Sequence, residues 1–535
     1  MILSRVTKKS VGSIQFMLLL IVFWMVFANY TFFKHLINDY PISDVHNAFF
    51  VISLLVGFGG TAMIVLSLVC YRYTTKPIIT LLLFSTAFAA YFMDSYNVFI
   101  DHDMIGNVIN SDTREMNDLL SVRLFMYIFF LGILPSLLVY KLSIKFDNLK
   151  KELLKRAKLV SGIIVTLGVM FFFTSASVTS FFREYTVRFY FNPSGYVFAV
   201  ADYGYRYLRG GKKKLVMIAK DAAIPKDDED RELIIMVVGE TARADHFSLN
   251  GYSRDTNPLL EKEKLVSFSN FTSCGTSTLV SVPCMFSVYE DSNYDGRTIK
   301  YTENALDILK NAGVNVLWLD NNSSSKGVAN RIAYKDLRDP SVNPVCDVEC
   351  RDVGMLAGLQ EYIDSHPKGD IMIVLHQMGN HGPAYYRRYP KEFAKFKPEC
   401  KTNELSDCTK DEIINAYDNA VLYTDYFLAK TIELLKNNDN KFETMMFYVS
   451  DHGESLGDNG IYLHGMPNII APKEQRHVPA IIWIGKNFDE INYDSLRKMQ
   501  DYPLSHNNIF HTLLGLMEID SKIYDPSKDI FHNKS

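Results

Sequence analysis

The sequence has no excess of positive charge. Its 535 residues include 56 Lys and Arg against 60 Asp and Glu, which gives a formal net charge of −4. Proteins that bind nucleic acids through phosphate contacts need clustered Lys and Arg, and this composition excludes such a role for the chain as a whole. Low-complexity tracts and repeats of about 20–50 residues are also missing, which excludes a disordered chain and a solenoid.

Cysteine is scarce in the first part of the chain. Of seven cysteines, only Cys70 precedes residue 183. Because no C-x-x-C spacing occurs, a zinc ribbon or a thioredoxin-type site is not expected. Paired cysteines persist in oxidising compartments, so we expect the residues beyond 183 to lie outside the cytosol. The six cysteines beyond residue 183 can form disulfides in many combinations, and pairing between near neighbours is the simplest. The near neighbours are Cys274/Cys284, Cys346/Cys350 and Cys400/Cys408.

Charged residues are missing from five long apolar runs before residue 183. A helix that crosses about 30 Å of hydrocarbon needs roughly 20 apolar residues, and buried core helices rarely supply several such runs. We therefore predict a transmembrane domain over 1–182, whose first helix lacks a signal-peptide cleavage motif and remains as an anchor. The runs are Gly12–Phe33, Asn47–Cys70, Pro77–Met93, Leu124–Tyr140 and Leu159–Phe182.

Basic residues are unevenly distributed between the two ends of these runs. Because cytoplasmic loops hold the excess of Lys and Arg, the richer side is cytoplasmic. An odd number of crossings then places the chain after Phe182 outside, which agrees with the paired cysteines and, for a bacterial chain, means the periplasm. One side carries Arg5, Lys8, Lys9, Arg72, Lys76 and the basic residues of 141–158, and the other carries Lys34, Arg114 and Arg123.

Residues 183–230 are predicted to form an interfacial linker. The segment carries an aromatic patch at 189–191 and a basic patch at Lys212, Lys213 and Lys214. Such a pattern fits an amphipathic helix on the membrane surface, and it fits a solvated linker equally well.

From residue 231 to 535, short apolar runs alternate with helical stretches such as Glu303–Asn311 and Glu412–Leu435. Continuous apolar strands that alternate with helices indicate an α/β domain with a mostly parallel sheet covered on both faces. In such sheets ligands gather at the carboxyl ends of the strands. The predicted strands are Leu233–Val238, Val314–Leu319, Ile371–Leu375, Met445–Val449 and Val478–Ile484.

Candidate metal ligands and a candidate nucleophile follow these strands. Glu240 comes after the first strand and Asp451-His452 after the fourth, and zinc accepts carboxylate oxygen and imidazole nitrogen. A helix-capping Glu240 and a plain Asp-His turn are the alternatives. The hydroxyls of CGTST (274–278) precede a predicted helix, where the helix dipole suits a phosphate and metal coordination activates a hydroxyl. An N-capping Thr or Ser is the alternative there.

Six motifs occur in order along the chain: VGETARADHFSLNGYSRDTNP (238–258), SCGTSTLVSVPCMFS (273–287), DNNSSSKG (320–327), CRDVGML (350–356), HQMGNHGPAYYRRYP (376–390) and SDHGESLGDNGIYLHG (450–465). Read together, they resemble the lipid A phosphoethanolamine transferases, the family that includes the colistin-resistance transferases. The resemblance covers nearly the whole chain. It implies five membrane helices followed by an alkaline phosphatase/sulfatase-like catalytic domain, in a multi-pass protein of the bacterial inner membrane whose catalytic domain is periplasmic.

The resemblance also assigns roles to particular residues. Thr278 takes the place of the nucleophile, and Thr276 that of a structural neighbour. The implied ligands of a catalytic zinc are Glu240, Thr278, Asp451 and His452, and the implied disulfides are Cys274–Cys284, Cys346–Cys350 and Cys400–Cys408.

Further positions match the family's substrate site. His381 and His464 match residues that hold the phosphoethanolamine group or a second zinc, and Asn322 and Lys326 match substrate-site positions. If the resemblance is set aside, a solvated lysine in a Ser-rich loop is an equally good interpretation of Lys326. His376 is interpreted as a histidine that ends a strand.

The polar loop 101–121 carries Asn107, Ser111 and Glu115 at a spacing of four residues. On a helix these side chains would form one stripe. They match family positions, occupied by Asn, Thr and Glu, that help to bind the lipid substrate, with Ser111 in place of the usual Thr. A surface helix at the membrane interface is the alternative.

The implied reaction transfers phosphoethanolamine from phosphatidylethanolamine to a lipid A phosphate through a phosphoethanolamine–threonine intermediate. The product lowers the negative charge of the outer membrane, which confers resistance to polymyxin and other cationic peptides. The enzyme is expected to be a monomer that requires zinc and binds no nucleic acid.

Five alternatives are weighed by the motifs that are present or missing. A transferase acting on another glycan and a periplasmic phosphodiesterase fit the same motifs. The paired cysteines and NHGP argue against a lipoteichoic-type polymerase, and the missing C-x-P-x-R motif argues against a sulfatase. A non-enzymatic sensor would be expected to lose some of the four implied zinc ligands, and all of them are present.

Overall fold

The computed structural model describes residues 10–111, 113–183, 187–209, 214–225, 230–488 and 491–532. These residues form two compact units. The first unit contains the residues up to Ile105 together with Leu120–Tyr207, and the second contains Gly106–Leu119 and the residues from Leu208 onward. The basic residues Arg5, Lys8, Lys9, Lys212 and Lys213 lie outside the described residues.

Long apolar helices build the first unit. A short parallel strand pair, β1 (Ser10–Gly12) and β2 (Ser143–Lys145), joins two of its loops. The helices of this part of the chain are α1 (Ser13–Phe27), α2 (Tyr30–Asp39), α3 (Val45–Val69), α4 (Thr75–Tyr96), α5 (His102–Asn110), α6 (Thr113–Asp118), α7 (Val122–Lys141), α8 (Leu149–Arg183) and α9 (Ser194–Arg209). Four of them, α3, α4, α7 and α8, are long and apolar enough to cross a membrane.

The first predicted span is a bent pair of helices rather than one straight helix. Helices α1 and α2 meet at an angle of 68°, and they make a fifth span if they are taken together. The break has a polar cause. The buried side chain of Asn29 donates to the carbonyl of Trp24 at 2.9 Å and accepts from the backbone N–H of Asn192 at 2.7 Å. A side chain that competes for backbone hydrogen bonds in this way ends a helix.

An eight-stranded sheet forms the centre of the second unit, in the order β12-β4-β11-β8-β3-β7-β5-β6. Strand β11 is antiparallel to β4 and β8, and the other neighbouring pairs are parallel. The prediction of a mostly parallel sheet is confirmed. The strands of this unit are β3 (Glu232–Gly239), β4 (Leu265–Thr272), β5 (Asn315–Asp320), β6 (Ala333–Asp336), β7 (Ile371–His376), β8 (Glu443–Ser450), β9 (Ser455–Asp458), β10 (Ile461–Leu463), β11 (His477–Ile484) and β12 (Leu504–Ser505). Strands β9 and β10 lie outside the eight-stranded sheet and form a separate antiparallel pair.

Helices and disulfides complete the second unit. The longest helix of this unit, Lys410–Lys436, is capped by Thr409, whose side chain accepts from the backbone N–H of Glu412 in a reciprocal capping box. The three disulfides join Cys274 to Cys284, Cys346 to Cys350 and Cys400 to Cys408, which are the pairings that the resemblance implies. The helices are α10 (Thr278–Met285), α11 (Gly296–Lys300), α12 (Ala305–Ala312), α13 (Leu359–Ser365), α14 (Lys410–Lys436), α15 (Tyr493–Lys498) and α16 (Ile509–Leu516).

The register of four parallel strands brings their carboxyl ends together. Strand β3 lies between β8 and β7, with Gly239 opposite Ser450 and Val238 opposite His376, and β5 pairs with β7 on its other side. The loops that follow these strands therefore open at one edge of the sheet, which is where ligands bind in folds of this kind.

Candidate active site

Three buried side chains converge at this edge. Glu240 follows β3, and Asp451 and His452 follow β8, and their ligand atoms all lie within 4.8 Å of one another. The Nε2 atom of His452 is 3.5 Å from Oε1 of Glu240 and 3.4 Å from Oδ2 of Asp451. Two carboxylates and one imidazole thus face a common point in the interior of the protein.

The hydrogen bonds around His452 fit a metal at that point. Its Nδ1 lies 2.9 Å from the carbonyl of Gly453 and donates to it. The other ring nitrogen, Nε2, is then unprotonated, and its lone pair faces the carboxylates. Within the described part of the chain, neither this Nε2 nor Oδ2 of Asp451 has a hydrogen-bond partner. Buried polar atoms are costly without a partner. One imidazole nitrogen and two carboxylates are a donor set that zinc accepts, and a backbone carbonyl that fixes the imidazole tautomer is typical of metal-binding histidines.

Burial and mutual proximity shift the pKa values of all three groups. Burial and the neighbouring charge of Glu240 raise the pKa of Asp451 well above its ordinary value. Burial alone would also raise the pKa of Glu240, but the imidazoles of His452, His381 and His464 lower it. Burial and the proximity of His464 lower the pKa of His452 to about 3. A neutral imidazole is the form that binds a metal.

The backbone after β3 is held in an uncommon conformation. Thr241 has a φ of 58°, which a β-branched residue rarely adopts. The buried hydroxyl of Tyr417, on α14, donates to the Thr241 carbonyl at 2.7 Å and accepts from the N–H of Arg243 at 2.9 Å. On the other side, a Cβ atom at Gly379 would lie 2.8 Å from the Glu240 carbonyl, so the NHGP loop approaches closely only because this residue is glycine. These contacts hold the backbone from which the Glu240 side chain projects.

Thr278 is the hydroxyl residue that the fold brings to the cluster. It is the first residue of α10, and its Oγ1 donates to Oε2 of Glu240 at 3.3 Å. The hydroxyl of Thr276 instead donates to the carbonyl of Met466 at 2.5 Å. The geometry thus separates the two threonines of CGTST, with Thr278 beside the candidate ligands and Thr276 engaged with a neighbouring loop.

His506, which sequence reasoning missed, joins the two loops that carry these groups. Its Nδ1 accepts from the N–H of Cys274 at 3.1 Å, and its Nε2 donates to the carbonyl of Ser450 at 3.0 Å. Burial lowers the pKa of His506 to about 3, so the ring stays neutral, with one nitrogen that accepts a hydrogen bond and one that donates. No signal in the local sequence HNN marks this role, because both partners are more than 50 residues away in the chain.

We expect His506→Ala to lower the activity of this site by roughly tenfold to a hundredfold, as removal of an outer-shell contact typically does. The substitution removes the side chain that joins the loop of Cys274 to the loop of Ser450. His511→Ala is the matched control, because His511 is also buried and accepts a backbone N–H, from Asp525 at 3.1 Å. Its effect on turnover per folded enzyme should stay within about twofold. Equal losses of turnover in the two variants would contradict a specific role of His506 in this site.

Asn322 and Lys326 lie in the loop that follows β5. The amide of Asn322 donates to Oε2 of Glu240 and to the carbonyl of Gln377, both at 2.7 Å, so it orients a candidate metal ligand. Lys326 has a φ of 49°, and its Nζ donates to the hydroxyl of Ser323 at 2.6 Å. The loop therefore places the amide of Asn322 beside the cluster, while the ammonium group of Lys326 is bonded to Ser323 within the same loop.

Two further histidines and an acid lie next to the cluster. The rings of His452 and His464 are 4.3 Å apart between centroids, and those of His464 and His381 are 5.7 Å apart. Nδ1 of His464 lies 3.3 Å from Oε1 of the fully buried Glu454. Burial would lower the pKa of His464, but Glu454 raises it. Glu454 was not predicted as a site residue, although it stands in the SDHGES motif.

The stripe predicted for the polar loop does not form on one helix. Helix α5 ends at Asn110 and α6 begins at Thr113. The side chains of Asn110 and Ser111 donate to the carbonyls four residues earlier, at 2.7 and 3.0 Å, and these bonds end the helix. Glu115, on α6, still reaches the site, where its Oε1 is 3.9 Å from Nε2 of His381. The prediction of a continuous stripe through Asn107 is therefore wrong.

Comparisons with known proteins cover almost the whole chain. Residues 232–519 match the sulfatase family, and residues 60–208 match the family described as phosphoethanolamine transferase EptA/EptB. The chain is 44% identical over 526 residues to phosphatidylethanolamine transferase Mcr-2 of Escherichia coli, with 96% of each chain covered. It is 37% identical over 539 residues to phosphoethanolamine transferase EptA of Escherichia coli K12, with 99% of this chain and 98% of the other covered.

One solved structure is similar over both units. It is the integral membrane protein lipooligosaccharide phosphoethanolamine transferase A of Neisseria meningitidis. The TM-score is 0.93 at 33% identity, covering 98% of this chain and 99% of the other.

Proposed function

Because the chain belongs to the phosphoethanolamine transferase family, we propose that it transfers phosphoethanolamine from phosphatidylethanolamine to a phosphate of lipid A. The family and the apolar helices make it a membrane-embedded transferase with a sulfatase-like domain. The observation that carries the proposal is the position of the Thr278 hydroxyl, 3.3 Å from a carboxylate of the buried cluster Glu240, Asp451 and His452. We further place the protein in a bacterial inner membrane, with this domain in the periplasm.

We assign the cluster to zinc. Glu240, Asp451 and His452 would hold the ion, together with the hydroxyl oxygen of Thr278. When bound, zinc supplies positive charge that lowers the pKa of a hydroxyl and offsets charge on phosphoryl oxygens. The unpartnered atoms of His452 and Asp451 support this assignment, since both point into the cluster and neither has another partner among the described residues.

The chain's own residues account for a transfer in two steps. Oγ1 of Thr278 attacks the phosphorus of the donor, the bond from phosphorus to the glycerol oxygen breaks, and diacylglycerol leaves with the proton that the hydroxyl gives up. Phosphoethanolamine is then bonded to Thr278. In the second step an oxygen of the acceptor phosphate attacks the same phosphorus, the bond from phosphorus to the Thr278 oxygen breaks, and that oxygen takes up the proton that the acceptor phosphate gives up.

Several side chains would position the substrates during these steps. Lys326 and His464 supply positive charge or hydrogen-bond donors to the phosphoryl oxygens. The carboxylate of Glu115, beside His381, is suited to the ammonium group of the donor, because a charge-assisted hydrogen bond is stronger than a neutral one. We keep Asn107 and Ser111 as donor-binding candidates.

Mass spectrometry of lipid A from cells that express the protein tests the proposal. We expect lipid A to gain the mass of one phosphoethanolamine group and the cells to become more resistant to polymyxin, because the added ammonium offsets negative charge. Cells that express Thr278→Ala at the same level are the control and should show neither change. Unmodified lipid A together with a modified core sugar would favour another glycan as the acceptor, and release of free phosphoethanolamine alone would favour a phosphodiesterase.

A further inference from the structure

Helix α6 is held against the rest of the second unit by two charged residues on one of its faces. Arg114 and Asp118 are four residues apart, so both side chains lie on the same side of the helix. Nη2 of Arg114 donates to the carbonyl of Asn321 at 2.9 Å, in the loop after β5. The carboxylate of Asp118 accepts from Arg388, beyond the NHGP loop. The two contacts therefore reach two different loops, the one that follows β5 and the one that follows β7.

The Asp118–Arg388 ion pair is buried. The side chains are 7% and 2% exposed, and Arg388 also pairs with Glu349. A buried ion pair is weak evidence for stability, because well-packed apolar side chains often do as well, and orientation is the better-attested use of such pairs. Here Nε of Arg388 donates to the carbonyl of His381 at 2.6 Å. One guanidinium group thus joins helix α6 to the backbone of His381.

Helix α6 cannot hold this position by itself. It has six residues, too few for a stable isolated helix. It also ends on Asp118, and a negative charge at the carboxyl end of a helix is unfavourable. The side chain of Asn403 adds one more contact, donating to the carbonyl of Asp118 at 2.6 Å. The contacts made by these residues, rather than helix propensity, determine where the helix lies.

We propose that Arg114 and Asp118 are positioning residues, which dock helix α6 so that Glu115 faces His381. The inference rests on the proposed function through the role of Glu115 at the donor's ammonium group. In the sequence, α6 lies between the apolar helices α4 and α7. A segment encoded between two candidate membrane spans therefore completes the donor site of the catalytic unit.

The test is a double-mutant cycle on the full-length protein in liposomes of phosphatidylethanolamine with lipid A as acceptor. We expect Asp118→Ala, which removes the ion pairs with Arg387 and Arg388, and Glu115→Gln each to raise the KM for the donor by at least about tenfold, with kcat changed much less. The double variant should be no worse than the worse single variant, because an undocked helix no longer presents Glu115. If the two substitutions instead caused independent structural damage, their effects would multiply in the double variant, and kcat would fall at an unchanged KM.

Asn117→Ala is the matched control, since Asn117 is an exposed residue of the same helix. It should leave KM within about twofold, alone or combined with Glu115→Gln. Asp118→Asn, which keeps the side-chain volume, should give a smaller increase in KM than Asp118→Ala. These two variants keep the test meaningful if Asp118→Ala proves difficult to produce.

Hydrogen–deuterium exchange measures the docking without reference to activity. Amides of residues 113–119 should exchange faster in Asp118→Ala than in wild type and Asn117→Ala, while Glu232–Gly239 stays protected in all three and shows that the sheet is intact. Unchanged exchange at 113–119 in Asp118→Ala, or effects on KM that multiply in the double variant, would overturn the proposal. If Glu115→Gln alone leaves KM unchanged, the donor role assigned to Glu115 under the proposed function fails, and the exchange rates still decide the docking.

Discussion

Replacing Thr278 with Ala is expected to lower phosphoethanolamine transfer by at least about a thousandfold, because the variant has no nucleophile. The neighbouring hydroxyl of Thr276 cannot substitute for it, since it is bonded to the Met466 carbonyl at 2.5 Å. The fold should persist. Thr278 contributes little volume to the core, and its hydrogen bond to Glu240 is long at 3.3 Å.

Labelled donor lipid and mass spectrometry of the digested protein check this result. Wild-type protein quenched during turnover should carry phosphoethanolamine on the peptide that contains Thr278, and Thr278→Ala should carry none. Thr278→Ser is the conservative control and should still form the adduct, because it keeps the hydroxyl. Thr276→Ala should form it as well. An adduct that persists in Thr278→Ala would move the nucleophile to another residue.

The parts of the fold that could be predicted are those with a local pattern. Strand β3 is buried along its whole length and therefore appears in the sequence as an uninterrupted apolar run. Strand β4 was missed because more exposed residues separate its buried residues, Val266, Phe268 and Phe271. A search for continuous runs of apolar residues does not detect such a strand.

The candidate ligands could be proposed for a related reason. Glu240 and Asp451 each follow a long apolar run, and the pairing of Gly239 with Ser450 then places them side by side. Residues that act through distant partners give no such signal. Asp118 and Arg388 are 270 positions apart, and His506 and Cys274 are 232 apart. The break at Asn29 depends in the same way on Asn192, which is 163 positions away.

Removing the metal is expected to abolish transfer, and zinc should restore it better than magnesium. The cluster offers an imidazole nitrogen, carboxylates and a hydroxyl, which suit zinc, whereas magnesium prefers an octahedral set of oxygen ligands. Without a cation the site keeps two buried carboxylates and the lone pair of His452 turned toward one another, at 3.4–3.5 Å. Metal removal should therefore lower thermal stability as well as activity, because an ion that binds the folded state stabilises it.

The measurement combines activity, metal content and melting temperature on the same samples. Dialysis against a chelator should bring bound zinc and transfer activity down together, and one equivalent of zinc should restore both and raise the Tm. His452→Ala should bind less zinc and show little rise in Tm on zinc addition, whereas His511→Ala, a buried histidine outside the cluster, should respond as wild type does. Full transfer activity in protein without detectable bound metal would overturn the zinc assignment. A Tm that rises equally in His452→Ala would place the ion elsewhere, because that variant lacks the only imidazole in the cluster formed by Glu240, Asp451 and His452.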